Sequence, residues 1–150
     1  MKRRRRSARP RPPATPGAPD AGALILIVED NGDLRELYST YFALHGFRVQ
    51  TASDGQIALA HAVDCRPDLI VTDLSMPHLG GWEMTRRLKH DPRTAHIPVI
   101  ACTGGTLTTS AERALDAGCD AYVVKPCLPQ DLLQEAHRLL KRSPDRRRSA

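Results

Sequence analysis

Three carboxylates, a hydroxyl and an amine follow apolar runs along this chain: Glu29 and Asp30 after Leu24–Val28, Asp73 after 68–72, Thr103 after 97–102 and Lys125 after Ala121–Val124. Brought together, the three acids would repel one another and raise their pKa values unless a cation neutralised them. Mg2+ suits such a cluster, because it takes oxygen ligands in octahedral geometry, uses one or two carboxylates and leaves positions for water or phosphate oxygens. Asp73 is then a candidate nucleophile toward phosphorus, forming an aspartyl phosphate. Lys125 would bring a point positive charge to phosphate oxygens, and Thr103 a hydroxyl donor. Together they make a phosphoryl-acceptor site. Taken singly, each has an ordinary reading: an acid at a strand end caps a helix or solvates a turn, a lysine sits in solvent, and Pro126 punctuates a loop.

The elements that must position these residues are legible in the hydrophobic pattern. Leu24–Val28 is a continuous run of leucine and β-branched residues, the pattern of a strand covered on both faces. Further strands are expected at Arg48–Ala52, 68–72, 97–102 and Ala121–Val124. From Asp33 to Leu44 apolar residues recur at helical spacing through Leu34, Leu37, Tyr38, Tyr41 and Phe42, with Gly46 as the stop. Other helices are expected at 55–64, 82–89, 110–117 and Pro129–Arg142. Five βα units without a hairpin signal imply an α/β fold, a doubly wound five-stranded parallel sheet with helices on both faces. In such sheets the ligand site lies at the carboxyl ends of the strands. All five candidate residues fall there.

A chain of 150 residues fits one domain, since about 100–150 residues is the commonest size. Residues 1–22 carry +6 and residues 141–150 carry +4, so the overall +5 conceals about −5 over residues 23–140. The first segment is rich in Arg and Pro, has no hydrophobic period, and is expected to be disordered over 1–22. The basic stretch 143–150 is expected to be disordered as well, with Pro144 opposing helix continuation. The folded domain is placed at 23–142. No run approaches the roughly 20 apolar residues of a membrane span, and Leu24–Val28 is too short for a signal-peptide core, so a cytoplasmic protein is expected. Cys65, Cys102, Cys119 and Cys127 lack C-x-x-C spacing and lie in apolar or helical contexts, which favours reduced, buried thiols. The six histidines form no metal-ligand pair.

In order and spacing, five segments resemble the response-regulator receiver family of two-component signalling: L-I-L-I-V-E-D at 24–30, D-L-I-V-T-D-L-S-M-P at 68–77, G-W-E-M at 81–84, I-P-V-I-A-C-T-G at 97–104 and A-G-C-D-A-Y-V-V-K-P at 117–126. The resemblance covers about residues 23–141. It implies a flavodoxin-like (βα)5 fold with strand order 2-1-3-4-5, and Asp73 as phosphoacceptor. It also implies Mg2+ held by Glu29, Asp30, Asp73 and the backbone carbonyl of Ser75. Lys125 and Thr103 would contact the phosphoryl group, Tyr122 would be the switch aromatic moving with Thr103, and Pro126 would follow a cis peptide bond. The implied partners are a sensor histidine kinase or histidine phosphotransfer protein and a downstream protein target. Catalysis would be limited to the chain's own phosphotransfer and dephosphorylation. The chain departs from the family pattern at Glu29, where Asp is also common, at Gly80, and at Cys127, where Phe is common. Gly104 and Gly105 leave little side chain beside Thr103.

About ten residues follow the last expected helix, so a stand-alone regulator or phosphorelay intermediate acting by protein contact is expected. An alternative is an added nucleic-acid-binding role through the basic segments 2–11 and 141–148. These segments lack aromatic interleaving and any base-reading motif, which favours solvated tails. Two enzyme readings of the same fold are weaker. A flavin protein would want a phosphate loop where Glu29-Asp30 stand, and an aspartate-nucleophile phosphatase would want an acid where Ser75 stands.

Overall fold

Five short strands rich in Val, Ile and Leu pair side by side, all parallel, in a computed structural model that describes residues 22–76, 78–104 and 117–142. They are β1 (Leu24–Val28), β2 (Arg48–Ala52), β3 (Leu69–Asp73), β4 (Val99–Thr103) and β5 (Ala121–Val124), in the order β2-β1-β3-β4-β5. The helices among the described residues are α1 (Gly32–Leu44), α2 (Gly55–Cys65), α3 (Gly81–Lys89) and α4 (Pro129–Arg142). The doubly wound five-stranded sheet and its 2-1-3-4-5 order are as expected. The helix expected at 110–117 lies outside the described residues except for Ala117, as do 1–21 and 143–150 with their basic runs.

The strands' period of two distributes their side chains between two layers. Ile25, Ile27, Leu69, Val71, Ile100 and Cys102 face one side and pack with Tyr38 and Phe42 of α1 and Leu132, Ala136 and Leu140 of α4. Leu26, Val28, Ile70, Val99 and Ala101 face the other and pack with Ala58 and Ala62 of α2 and Met84 and Leu88 of α3. Burial on both faces explains why β1, β3 and β4 read as apolar runs instead of alternating ones.

Local chemistry sets the helix ends. Asn31 Oδ1 accepts the Leu34 N–H at 3.1 Å and Asp54 Oδ1 accepts the Ile57 N–H at 2.9 Å, each satisfying a free first-turn donor. At the end of α1, Gly46 adopts φ 92°, and the N–H groups of Gly46 and Phe47 return to the carbonyls of Ala43 and Phe42. This pair of bonds is a Schellman closure, which needs the left-handed conformation that glycine adopts without strain.

Two strand ends differ from expectation. Asp73 and Thr103 are the last residues of β3 and β4, not the residues that follow them, because ladder pairing runs on through Asp73↔Cys102 and Thr103↔Val124. The four cysteines are free, but Cys65 is exposed, which corrects the expectation that all four are buried. It is the last residue of α2, where the chain turns away through Arg66 at φ 51°. Among the described residues, no helix is long and apolar enough to cross a membrane.

Candidate functional site

Parallel pairing brings the carboxyl ends of β1, β3, β4 and β5 to one edge of the sheet. Beyond β1, the Glu29 N–H donates to Ala52 O at 3.0 Å, so the chain stays in register as it leaves the strand. The turn that follows is held from two directions. The Asn31 N–H donates to Glu29 Oε2 at 3.1 Å, and Arg35 Nη1 donates to the Glu29 carbonyl at 2.7 Å. This clamp fixes Glu29, 3% exposed, and leaves Asp30 at the surface.

Asp73 is 5% exposed at the end of β3. Its Oδ1 accepts the Ser75 N–H at 3.1 Å, and its Oδ2 accepts from Lys125 Nζ at 3.0 Å. The Lys125 backbone N–H donates to Thr103 O at 2.7 Å, binding the start of the loop beyond β5 to the end of β4. The Lys125-Pro126 peptide bond is cis. Thr103 is buried, Ser75 is exposed, and Tyr122 is half-buried on β5 against the α2/α3-side core. Carboxylate oxygens of Glu29, Asp30 and Asp73 all lie within 4.8 Å of one another. Thus the candidate acids and Lys125 converge on one point, Thr103 flanks it, and Tyr122 lies two residues before Thr103's register partner, Val124.

A glycine makes part of this arrangement. Gly81 opens α3 and donates to Leu74 O at 3.2 Å. A Cβ there would collide with the carbonyl oxygen of Asp73 and stand 2.8 Å from Leu74 Cα. The bare backbone is what allows α3 to start against the strand end that carries Asp73.

Burial pushes the Glu29 carboxyl up to about 7; the Asn31 N–H opposes this, the Asp73 charge and the Asp30 hydrogen bond add to it, and the Lys125 charge opposes it. Burial disfavours the Lys125 ammonium, but the hydrogen bond and charge of Asp73 outweigh that and raise its pKa. Three acids with a single ammonium leave an excess of negative charge in a partly buried place. The donor set consists only of oxygen, which fits a hard divalent cation such as Mg2+ and not a soft metal.

Sequence reasoning missed the Arg35 contact, because a bond to a backbone carbonyl leaves no residue pattern. It also missed that Cys102 and Cys127, 25 positions apart, come together in one buried cluster. The departure at Cys127 from the family's common Phe was the signal available.

A family model described as "Response regulator receiver domain" matches residues 25–137. The polar-differentiation response regulator DivK of Brucella anthropi is 38% identical over 102 residues, covering 68% of this chain and 83% of that protein. The phosphate regulon transcriptional regulatory protein PhoB of Pseudomonas aeruginosa is 35% identical over 122 residues, covering 81% of this chain and 53% of that protein. The chain spans about half the length of several of the curated relatives it matches. Among solved structures, chemotaxis response regulator CheY4 of Vibrio cholerae superposes with TM-score 0.74 at 30% identity, over 79% of this chain and 98% of that one. The receiver domain of sensor histidine kinase PA1611 from Pseudomonas aeruginosa, solved with magnesium coordinated in its active site cleft, gives TM-score 0.72 at 32% identity over 79% and 97%.

Proposed function

This chain belongs to the response regulator receiver family, and from that premise we propose that Asp73 is its phosphoacceptor, taking a phosphoryl group from a phosphohistidine of a sensor kinase or phosphotransfer protein. The observation that carries the reading is the Lys125 ammonium 3.0 Å from Asp73 Oδ2, beside two further carboxylates.

In the proposed step an Asp73 carboxylate oxygen attacks phosphorus in line. An O–P bond forms as the P–N bond of the donor breaks, and the donor imidazole keeps the electron pair. Lys125, held at rest by Asp73, turns to the phosphoryl oxygens as charge moves onto them. Glu29, Asp30, Asp73 and the Ser75 carbonyl are the residues that would hold Mg2+, whose chemistry when bound is to neutralise the acidic cluster and the transferring phosphoryl oxygens. The Arg35 and Asn31 contacts keep the Glu29 turn oriented for that role. Thr103 would donate its hydroxyl to the new phosphoryl group, with Tyr122 changing position as it does so; this pair is the two-state element through which phosphorylation reaches a partner. In this reading the chain is a regulatory phosphoacceptor and catalyses only its own phosphotransfer and hydrolysis. It acts in the cytoplasm, where histidine kinases present their phosphoryl groups.

The test is a phosphotransfer profile against histidine kinases, with a pull-down by phosphorylated and unphosphorylated protein. Rapid transfer from one kinase and a phosphorylation-dependent partner support the proposal. Transfer from none, with the kinases shown active on other receivers, overturns it.

A further inference from the structure

Cys102 and Cys127 are placed for a joint chemistry that the phosphoryl site does not use. Cys102 lies in β4, register-paired with Asp73 on one side and Val123 on the other, and directly precedes Thr103. Cys127 follows Lys125-Pro126, and its Sγ bonds the carbonyl of that same Val123 at 3.2 Å. Both side chains belong to the same α1/α4-side core cluster, 3% and 7% exposed, and both adjoin Val123, one by register and the other by its sulfur. The other two thiols are elsewhere: Cys119 packs on the opposite face of the sheet against Thr85, and Cys65 is exposed at the end of α2. The Tyr38 hydroxyl donates to the Cys127 carbonyl at 2.8 Å, which fixes the backbone that carries the second sulfur.

We propose that Cys102 and Cys127 form a peroxide-oxidised dithiol whose disulfide ties the Thr103 end of β4 to the segment after Lys125. A Cys127 thiolate attacks hydrogen peroxide, the O–O bond breaks, and sulfenic acid and hydroxide result. The Cys102 sulfur then attacks the Cys127 sulfur. The S–O bond breaks, the S–S bond forms, and the released protons leave two waters in all. Two electrons pass from the two thiols to one peroxide. Cys127 is the more exposed of the two and stands two residues from the Lys125 ammonium, which favours a thiolate there and marks it as the attacking sulfur.

The link would act on the proposed phosphoryl site, because Thr103 and Lys125 are neighbours of the two sulfurs in sequence. That consequence rests on the phosphoacceptor reading of Asp73; the disulfide itself does not.

The test uses the full chain with Cys65→Ser, treated with hydrogen peroxide, digested without reductant and mapped by tandem mass spectrometry. The expected product is a Cys102–Cys127 cross-link lighter by two hydrogens and reversed by dithiothreitol. It is lost in Cys102→Ser and in Cys127→Ser and kept in Cys119→Ser. It also forms in Asp73→Asn, which separates it from the phosphoacceptor assignment. Full alkylation of both thiols after oxidation and unfolding, pairing with Cys119, or oxidation to sulfinic acid without a link would each overturn the proposal. Phosphodonor labelling of the linked protein is expected to fall several-fold and return on reduction; unchanged labelling would overturn the regulatory consequence alone.

Discussion

The Lys125 ammonium lies 3.0 Å from Asp73 Oδ2, although 52 residues and the intervening strand β4 separate the two in the fold. Asp73 is 5% exposed while the Lys125 side chain remains 38% exposed, so the lysine reaches from the rim to a buried acid. The pair is a poor stabilising device, because an ion pair with one solvated partner gains little beyond about 1 kcal/mol. Its arrangement suits a cation that must leave one anion for another.

Lys125→Met should therefore cost more in phosphoryl transfer than in stability. Removing a single preorganised donor typically slows a charge-developing step by roughly a hundredfold or more. Labelling rates with a small-molecule phosphodonor, read beside a urea melt, check this. A large loss of stability with unchanged labelling would contradict the role given to Lys125.

Glu29 sets a pH dependence whose sign follows from its raised pKa. The folded protein binds the Glu29 proton from 4.5 up to about 7 while the unfolded chain has released it, so this group's stabilisation is complete at low pH and fades as pH rises through about 7. A divalent cation favours the ionised form. The thermal stabilisation given by added Mg2+ should then be larger at pH 8 than at pH 5.5, and Glu29→Gln should flatten the difference. Melting curves with Mg2+ and with a chelator test this, and an equal Mg2+ effect at both pH values would count against Glu29 as a ligand.

Gly81→Ala should disturb Asp73 from a distance of eight residues. The added Cβ meets the Asp73 carbonyl oxygen and Leu74 Cα, both backbone, so α3 or the end of β3 must move. Overpacking of this kind costs about 1–3 kcal/mol. Reduced melting temperature together with slowed labelling is expected; a variant that is equally stable and equally labelled would show that the contact does not fix the strand end.

Much of the fold was legible because the central strands β1, β3 and β4 are buried on both faces and so read as apolar runs, while the edge strands β2 and β5 are only partly buried. Leu24–Val28, Arg48–Ala52 and Ala121–Val124 match the observed strands residue for residue. β4 begins two residues later than expected, since Ile97 closes a turn onto Thr94 and Pro98 has no N–H to give the ladder. β3 runs one residue further than its apolar pattern, because Asp73 keeps its backbone pairing while its side chain turns to Lys125.

The candidate site was legible as a set of strand-end residues, whereas its supports were not. Arg35 acts through the Glu29 carbonyl, and Gly81 through a side chain it lacks. Cys102 and Cys127 stand on separate segments, and only the fold brings them into one buried cluster beside Val123. The exposure of Cys65 follows from where α2 ends, which apolar periodicity fixes only to within a turn.

The phosphoacceptor assignment is tested most directly by incubating the protein and its Asp73→Asn variant with a small-molecule phosphodonor and Mg2+, then measuring intact mass. The unmodified sequence should gain one phosphoryl group that is lost with chelation of Mg2+ before the reaction, and the folded Asp73→Asn variant should gain none. Undiminished labelling of that variant would contradict the assignment of Asp73.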